Sequence, residues 1–274
     1  QALELDLVDP KTKIVTTGPI RIGGHKINDY RNNGPELPVW QVITESSNLG
    51  TARIAKMIGP EKQREFLSSL GFTTPTSVEM IEASGGKPLL PKRWNELETM
   101  TISYGHGLSA TPLHLATGYA VLANGGRLVK PTLLEGKKFD LGPQVISKEV
   151  AENSLAMLRG VVTEGTASLA DVNGYFVAGK TGTADKPSAR GGYDKEKNIT
   201  NFASIFPTHK PKYVLVVTLD EAQDTSGPEP KRTAGWTAVP VSAEIIARVA
   251  PLLGLRPKFD NQSSVGVTLS NWQE

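Results

Sequence analysis

The chain contains no cysteine among its 274 residues. This absence excludes disulfide bonds, thiolate metal sites and a cysteine nucleophile, although it does not decide between an oxidising and a reducing compartment. Long apolar runs are also missing. The longest candidates, such as residues 213–217, have the length of a strand, well short of the roughly 18 residues that span a bilayer.

The excess of charge is small, with a formal net charge of +2, 38% hydrophobic residues and 21% charged residues. These values are ordinary for a globular protein. Because no basic run and no alternation of basic and aromatic residues is present, nucleic acid is not expected as a partner. The histidines lack metal-ligand spacing, and we expect neither a metal nor a cofactor.

The first six residues are acidic and amphipathic, unlike a signal peptide. They are typical of the last turns of a helix. We therefore expect the chain to be a fragment of a longer protein.

Apolar residues at helical spacing predict helices at residues 38–45, 49–57, 61–70, 112–124, 148–164 and 239–252. Runs with strand propensity lie at residues 175–183, 201–206 and 213–220. Short connections between consecutive strands favour antiparallel pairing, and the last helix can cover one face of the sheet. The sequence therefore predicts an α+β fold, with an antiparallel sheet flanked by helices and a helical subdomain.

The expected boundaries follow from this pattern. The helical subdomain covers about residues 30–164, and the sheet with its closing helix covers about residues 165–256. Residues 257–274 form a tail without periodicity. The polar, glycine-rich segment at residues 186–199 predicts a mobile loop.

One segment fits two different chemistries. Together with Gly174, the residues up to Thr181 match the phosphate-loop pattern, and Lys180-Thr181-Gly182 matches the K-T-G signature of serine acyl-enzymes. A phosphate loop needs a flexible turn that opens into a helix. The residues at 175–177 instead favour a strand. The string Gly-Thr-Ala-Asp-Lys-Pro that follows Thr181 cannot open a helix cleanly. We expect a strand edge that presents Lys180, Thr181 and Thr183, and nucleotide binding stays as an alternative.

Ser46-Ser47-Asn48 lies at the junction of two predicted helices. In isolation this string is typical of a helix N-cap. Its position ahead of a K-T-G segment on a strand favours a different interpretation, the S-x-N motif that accompanies K-T-G in serine acyl-enzymes.

At this point the chain resembles the transpeptidase domain of class B penicillin-binding proteins, specifically the division type, over roughly residues 1–254. The strings that carry the resemblance are Glu45-Ser46-Ser47-Asn48-Leu49-Gly50-Thr51, Ser103-Tyr104-Gly105-His106-Gly107-Leu108-Ser109, Gly165-Thr166-Ala167 and Ala178-Gly179-Lys180-Thr181-Gly182-Thr183-Ala184. The resemblance implies the penicilloyl-serine transferase fold and a peptidoglycan D,D-transpeptidase activity. The implied partners are peptidoglycan stem peptides, β-lactam antibiotics and divisome proteins, and the implied location is the periplasmic face of the bacterial inner membrane, with an N-terminal anchor outside the chain.

The family's nucleophile sits in an S-x-x-K motif upstream of S-x-N, and this chain has none there. Its one S-x-x-K string, Ser84-Gly85-Gly86-Lys87, comes after S-x-N, contains two glycines and runs into Pro88. We interpret this string as a coincidence. We expect the nucleophile just before Gln1 and the fragment to be inactive alone.

The resemblance also implies roles for the remaining motif residues. Ser46 relays a proton to the leaving amine, and Asn48 binds the backbone of the donor peptide. Lys180 places a positive charge near Ser46 and the substrate carboxylate, to which Thr181 and Thr183 donate hydrogen bonds. The Thr183 N–H forms half of the oxyanion hole, and Gly182 lets the substrate approach the strand. Tyr104 and His106 are expected at the rim of the site.

Two other functions remain open from the sequence. A D,D-carboxypeptidase or serine β-lactamase would use the same acyl-serine chemistry. A non-catalytic penicillin-sensing or divisome-binding module could keep the same fold.

Overall fold

The computed structural model describes residues 1–136, 142–188, 191–259 and 269–273. The chain divides into two compact units, one formed by Gln1–Met157 with Val267–Glu274 and the other by Leu158–Gly266. The boundary falls inside one helix, α6 (Lys148–Thr163), which ends close to the subdomain boundary expected near residue 164.

The first unit combines short helices with two small antiparallel sheets. Strand β1 (Lys13–Val15) pairs with β4 (Glu36–Pro38), and β2 (Ile20–Ile22) pairs with β3 (His25–Ile27). The helices of this unit, besides the first part of α6, are α1 (Val39–Thr44), α2 (Asn48–Ile58), α3 (Pro60–Ser69), α4 (Glu96–Ser103), α5 (Pro112–Ala123) and α8 (Ser270–Gln273).

Apolar residues from distant parts of the sequence form the core of this unit. One buried cluster joins Ala2 and Val8 to Trp40 and Val42 of α1, with Met157 of α6. A second cluster joins Ile27, at the end of β3, to Leu49 and Ala52 of α2 and Met100 of α4. These contacts fix the ends of α1, α2 and β3, which carry the first group of candidate site residues.

The second unit is built on an antiparallel sheet in the order β5-β6-β7, formed by β5 (Ala178–Pro187), β6 (Tyr193–Phe206) and β7 (Tyr213–Asp220). Helix α7 (Ala238–Leu252) packs against β6 and β7. Phe202 and Ile246 are fully buried. Strand β6 is therefore central, and β5 is an edge strand of this sheet. The predicted α+β fold with antiparallel pairing is confirmed.

The six helices predicted from periodicity are confirmed to within one residue at each end. Apolar spacing located them because each buries one face. Within the described part of the chain, no helix is both long enough and apolar enough to cross a membrane.

The strand predicted at residues 175–183 begins and ends later, at Ala178 and Pro187. Phe176 has a φ of +46°, and the Tyr175 N–H donates to the Val172 carbonyl at 3.0 Å, so the chain turns here. The high strand propensity of these aromatic residues is overridden by the turn at Gly174, whose φ is +84°.

The prediction of a loop at residues 186–199 is largely wrong, because β5 and β6 continue through this segment as a hairpin. Lys186 lies opposite Asp194 and Pro187 opposite Tyr193, after an irregularity between Asp185 and Lys186. Polar side chains on a hairpin give the same composition as a loop, since pairing uses the backbone and not the side chains. The residues at 189–190 lie outside the described residues.

The predicted tail at residues 257–274 is only partly described, because residues 260–268 and 274 lie outside the description. Leu269 is 8% exposed and packs with Trp272 against the cluster of Ala2 and Trp40. The helix α8 that follows Leu269 is too short for periodicity to have predicted it.

Candidate active site

The connection between α1 and α2 places Ser46 in an uncommon conformation. Helix α1 ends with two backbone hydrogen bonds, from the Ser47 N–H to the Val42 carbonyl at 3.0 Å and from the Ser46 N–H to the Ile43 carbonyl at 3.2 Å. This is the Schellman arrangement, and Ser46 occupies its left-handed position with a φ of +57°. Glycine is the usual residue there, because a side chain costs roughly 1–2 kcal/mol in this conformation. Asp6, Phe176 and Glu221 are the other residues besides glycine with a positive φ in the described part of the chain.

The N-cap of α2 is the middle residue of the S-S-N string. Ser47 is fully buried, and its Oγ accepts a hydrogen bond from the Gly50 N–H at 3.0 Å. Asn48 is the first residue of the helix, and its Nδ2 donates to the Asn28 carbonyl at 3.2 Å. Neither Ser46 nor Asn48 is therefore needed to start the helix. The capping that residue propensity predicts for this string is accounted for by Ser47.

An acidic residue that the sequence did not single out holds this helix start. The Asp29 carboxylate accepts hydrogen bonds from the Ser47 Oγ at 2.7 Å and from the Leu49 N–H at 2.8 Å. Eighteen residues separate Asp29 from Ser47. No local pattern in the sequence predicts a contact at this separation.

Tyr104 and His106 follow helix α4, which the sequence did not predict. A capping box formed by Asn95 and Glu98 begins α4. The N-x-x-E spacing was the available sequence signal for it. Tyr104 packs against the cluster that contains Leu49. The exposed His106 lies between two glycines of positive φ, and its N–H donates to the Thr101 carbonyl at 3.0 Å. Tyr104 therefore packs against the same cluster as Leu49 of α2, and His106 follows it after one glycine.

In the second unit, Lys180, Thr181, Gly182 and Thr183 are successive residues of the edge strand β5. Side chains alternate along a strand, so Lys180 and Gly182 share one face and the two threonines share the other. An edge strand has one side that makes no ladder with its own sheet. The expectation that Lys180, Thr181 and Thr183 lie on an edge strand is confirmed, and their binding role stays a prediction.

Both threonine hydroxyls are held by partners from other elements. The Ala234 N–H donates to the Thr183 Oγ1 at 3.0 Å, which leaves the hydroxyl proton of Thr183 to be donated elsewhere. The Oγ1 atoms of Thr166 and Thr181 are 2.8 Å apart, and either hydroxyl can be the donor. Thr166 is part of a string that carried the family resemblance, but neither it nor Ala234 was assigned a role from the sequence. Their contacts depend on the fold of the unit.

The electrostatics of this strand centre on Lys180. Burial lowers the pKa of its ammonium group from 10.5 to about 8. The group donates to the Thr181 carbonyl at 3.2 Å. With this pKa, Lys180 is mainly protonated at neutral pH and can bind an anion, and it loses its charge within the moderately alkaline range.

Gly182 faces a side chain of the neighbouring strand. Asn201 lies directly opposite it in the sheet. A Cβ atom at position 182 would lie 2.7 Å from the Asn201 Oδ1. A side chain at position 182 would therefore displace the amide of Asn201, a residue that the sequence did not single out.

Comparison with known proteins identifies the family of this chain. The family model described as the penicillin binding protein transpeptidase domain matches residues 2–246. The chain belongs to the penicillin-binding protein transpeptidase family. The chain is 33% identical over 254 residues to the probable peptidoglycan D,D-transpeptidase FtsI of Caulobacter vibrioides. This alignment covers 88% of this chain and 42% of that relative. It is 28% identical over 255 residues to the stage V sporulation protein D of Bacillus subtilis, in an alignment that covers 88% of this chain and 38% of that relative.

Solved structures support the same family and fold. The transpeptidase domain of penicillin-binding protein 3 from Burkholderia pseudomallei superposes with a TM-score of 0.84 at 33% identity, covering 94% of this chain and 77% of that chain. Penicillin-binding protein 3 from Mycobacterium tuberculosis, solved with ampicillin, gives a TM-score of 0.78 at 25% identity, with coverages of 97% and 62%. The resemblance seen in the sequence, including its division type, is confirmed.

Membership of the penicillin-binding protein transpeptidase family resolves the two interpretations of Lys180. Lys180 and Thr181 lie inside a strand, whereas the lysine of a phosphate loop stands at the start of a helix. The phosphate-loop match is therefore a coincidence of sequence.

The S-x-x-K string at Ser84 does not look like the nucleophile of a penicillin-binding protein. Ser84 lies in a short 3-10 helix, Ile81–Gly85, is exposed, and donates to the Ile81 carbonyl at 2.9 Å. Lys87 is exposed as well. No serine precedes Ser46 in the chain.

Proposed function

We propose that the protein acts as a peptidoglycan D,D-transpeptidase, which cross-links stem peptides through an acyl-serine intermediate and is acylated by β-lactams. The observation that carries the proposal is the arrangement on β5. Two threonine hydroxyls with their own hydrogen-bond partners and a partly desolvated lysine lie within four residues of an edge strand. Such a strand is suited to an extended peptide that ends in a carboxylate, because it offers backbone pairing, hydroxyl donors and a cation together.

In the proposed reaction, a serine hydroxyl attacks the carbonyl carbon between the two D-alanines of the donor stem peptide. The peptide C–N bond breaks, the terminal D-alanine leaves with the proton of the hydroxyl, and an ester remains. An amine of a second stem peptide then attacks the ester carbonyl carbon, the ester C–O bond breaks, and the serine hydroxyl is regenerated with the proton of the amine, which leaves the amide cross-link. A β-lactam follows the first half of this course, and its ring amide opens.

The residues of the second unit are proposed to bind and activate the carbonyl end of the donor. Lys180 and the hydroxyls of Thr181 and Thr183 bind the terminal carboxylate. The backbone N–H of Thr183 stabilises the oxyanion, a contribution that commonly amounts to about 3 kcal/mol per donor in serine enzymes.

The residues of the first unit are proposed to handle the proton and the peptide backbone. Ser46 passes the proton to the leaving amine, which accounts for a serine in a conformation that favours glycine. The Asn48 amide binds the donor backbone. Tyr104 and His106 contact the substrate at the rim.

We assign no residue of this chain as the nucleophile. The chain spans 42% of the length of the Caulobacter relative and 38% of the Bacillus relative. We propose that a Ser-x-x-Lys segment in the part of the protein outside these residues supplies the nucleophile. Since cross-linkable peptidoglycan lies outside the cytoplasmic membrane, the proposed location is the periplasmic face of that membrane, with an N-terminal anchor, and contacts with divisome proteins are assigned to parts outside this chain.

The proposal is tested on the full-length gene product with fluorescent penicillin. Lys180→Ala should lower the rate of labelling by about two orders of magnitude, because the cation acts on the carboxylate and the transition state. Lys186→Ala is the matched control, since Lys186 lies on the same strand and pairs with Asp220 and Glu221. It should be labelled at the wild-type rate. Equal labelling of wild type and Lys180→Ala would show that the proposed role of the strand is wrong.

The products distinguish the alternatives. Cross-linked dimers from stem-peptide substrates support the transpeptidase. Release of D-alanine with water as the only acceptor would indicate a carboxypeptidase, and stable labelling without turnover of any peptide would indicate a penicillin-sensing module.

A further inference from the structure

The start of helix α2 carries two proposed site residues that do not hold themselves in place. Ser46 lies in the left-handed region, and Asn48 is the half-buried first residue of the helix. Between them, the fully buried Ser47 accepts from the Gly50 N–H and must place its own hydroxyl proton. The backbone geometry of Ser46 and Asn48 therefore depends on the group that accepts a hydrogen bond from the Ser47 hydroxyl.

Asp29 receives it. Its Oδ2 accepts from the Ser47 hydroxyl at 2.7 Å, and its Oδ1 accepts from the Leu49 N–H at 2.8 Å. The Asn33 side chain donates to Oδ2 at 2.8 Å and limits rotation of the carboxylate. One carboxylate thus binds the residues on either side of Asn48, and charged acceptors make stronger hydrogen bonds than neutral ones.

The preceding residue binds Asn48 itself. The Asn28 carbonyl accepts from the Asn48 Nδ2 at 3.2 Å. Ile27, one residue earlier, is buried in the cluster with Leu49. Three successive residues of the chain therefore grip the first turn of α2 through an apolar contact, a backbone carbonyl and a carboxylate. The negative charge also lies where the helix dipole favours it.

We propose that Asp29 is a positioning residue for acylation, which fixes the backbone of Ser46 and Asn48 through Ser47 and Leu49 without touching the substrate. This inference rests on the proposed function, since it assigns catalytic roles to Ser46 and Asn48. A side chain that only stabilised the fold would change the folded fraction of the protein. A positioning residue changes the rate constant of the covalent step in the molecules that remain folded.

The test uses Asp29→Asn, which keeps the size of the side chain. Its amide oxygen can still accept from Leu49, but its NH₂ group cannot accept from the Ser47 hydroxyl. In the 274-residue chain, hydrogen exchange of the Leu49 and Gly50 amides should be faster than in wild type. In the full-length gene product, the rate constant of acylation by fluorescent penicillin should fall about tenfold, while the non-covalent dissociation constant stays within about twofold.

Glu36→Gln is the matched control, because it removes one carboxylate charge from the same part of the chain, where Glu36 pairs with the exposed Lys13. It should leave both exchange and acylation unchanged. If Asp29→Asn does not fold, Asp29→Glu replaces it, since the extra methylene moves the carboxylate while keeping its charge, and the same criteria apply.

The outcomes test the positioning role of Asp29 and the proposed transpeptidase function separately. Unchanged hydrogen exchange at Leu49 and Gly50 in Asp29→Asn would show that Asp29 does not hold the first turn of α2, independently of the acylation result. Faster exchange with an unchanged acylation rate overturns the positioning role and leaves the transpeptidase proposal intact. A wild-type full-length protein that penicillin does not acylate overturns the proposed function, and the positioning role with it.

Discussion

Ser46 occupies a backbone position where glycine would be less strained, and it is the residue to which we assign the proton transfer. We expect Ser46→Gly to leave the free energy of unfolding unchanged or to raise it by up to about 1 kcal/mol, because the left-handed conformation no longer carries a side chain. The rate of acylation in the full-length gene product should fall by about two orders of magnitude. Thermal unfolding and labelling with fluorescent penicillin measure the two quantities on one variant.

The chain offers a matched control for this change. Asp6 also has left-handed backbone geometry without being a glycine, with a φ of +51°. As at Ser46, its own N–H and the N–H of the next residue, Leu7, each donate a backbone hydrogen bond within the turn. Asp6→Gly should change stability in the same direction without changing acylation. A Ser46→Gly protein with the wild-type acylation rate would remove Ser46 from the mechanism.

Lys180 gives the reaction a pH dependence of definite sign. Its pKa is lowered by burial to about 8, so the ammonium charge that binds the substrate carboxylate is lost as the pH rises through that value. We expect the acylation rate of the full-length gene product to fall above about pH 8. In Lys180→Arg this fall should be absent, because a guanidinium stays protonated at this pH. A wild-type rate that does not fall between pH 7 and about 10 contradicts the assignment.

The same pKa predicts the opposite trend for stability. Between pH 8 and 10.5, the unfolded chain keeps a proton on Lys180 that the folded protein has lost. The contribution of Lys180 to the free energy of unfolding should therefore rise with pH across this window. Comparing urea unfolding of wild type and Lys180→Met at several pH values isolates this contribution. A loss of acylation above pH 8 then cannot be attributed to unfolding at Lys180.

At the scale of the element, strand β5 is matched to its neighbour β6 at Gly182. We expect Gly182→Ala to lower the free energy of unfolding by up to about 1 kcal/mol, because the added methyl group would displace the Asn201 amide, which is the far end of a flexible side chain. Gly182→Ala combined with Asn201→Ala should recover most of this loss. Chemical unfolding of the two variants is the measurement. If the double variant is no more stable than Gly182→Ala, the close contact with Asn201 is not the reason for the glycine.

The elements differ in how far the sequence could predict them. The helices were predictable because burial of one face leaves an apolar spacing that a single segment displays. The bounds of β5 were not, since Tyr175 and Phe176 have strand propensity but lie in a turn. The hairpin beyond Asp185 was missed because its polar residues pair through the backbone.

The same distinction applies to the candidate site. Ser46, Asn48, Lys180, Thr181 and Thr183 lie in short motifs and could be found from the sequence alone. Asp29 reaches Ser47 across 18 residues, and Ala234 reaches Thr183 across 51. Partners at such separations are brought together by strand register and core packing, which no short window of sequence contains. The supporting residues therefore required the structure, whereas the residues proposed to touch the substrate did not.

At the scale of the whole molecule, each unit carries its own set of motif residues, and neither set includes an assigned nucleophile. The first unit holds Ser46 and Asn48 on packed helix ends, and the second holds Lys180, Thr181 and Thr183 on a sheet edge. A chain of this kind can be stable and can keep the binding groups of the reaction while lacking the group that forms the covalent bond.

We therefore expect the 274-residue chain by itself to fold but not to be labelled covalently by fluorescent penicillin. Loss of the nucleophile from a serine protease lowers turnover by about 10⁶, and here the backbone N–H that the nucleophile would add to the oxyanion hole is lost as well. Circular dichroism and a cooperative thermal transition establish that the chain is folded, and gel fluorescence after incubation with the penicillin measures labelling. Stoichiometric labelling would reveal a nucleophile within these residues. Ser84→Ala would then test the one Ser-x-x-Lys string of the chain, and loss of the label in that variant would overturn our interpretation of Ser84 as a coincidence.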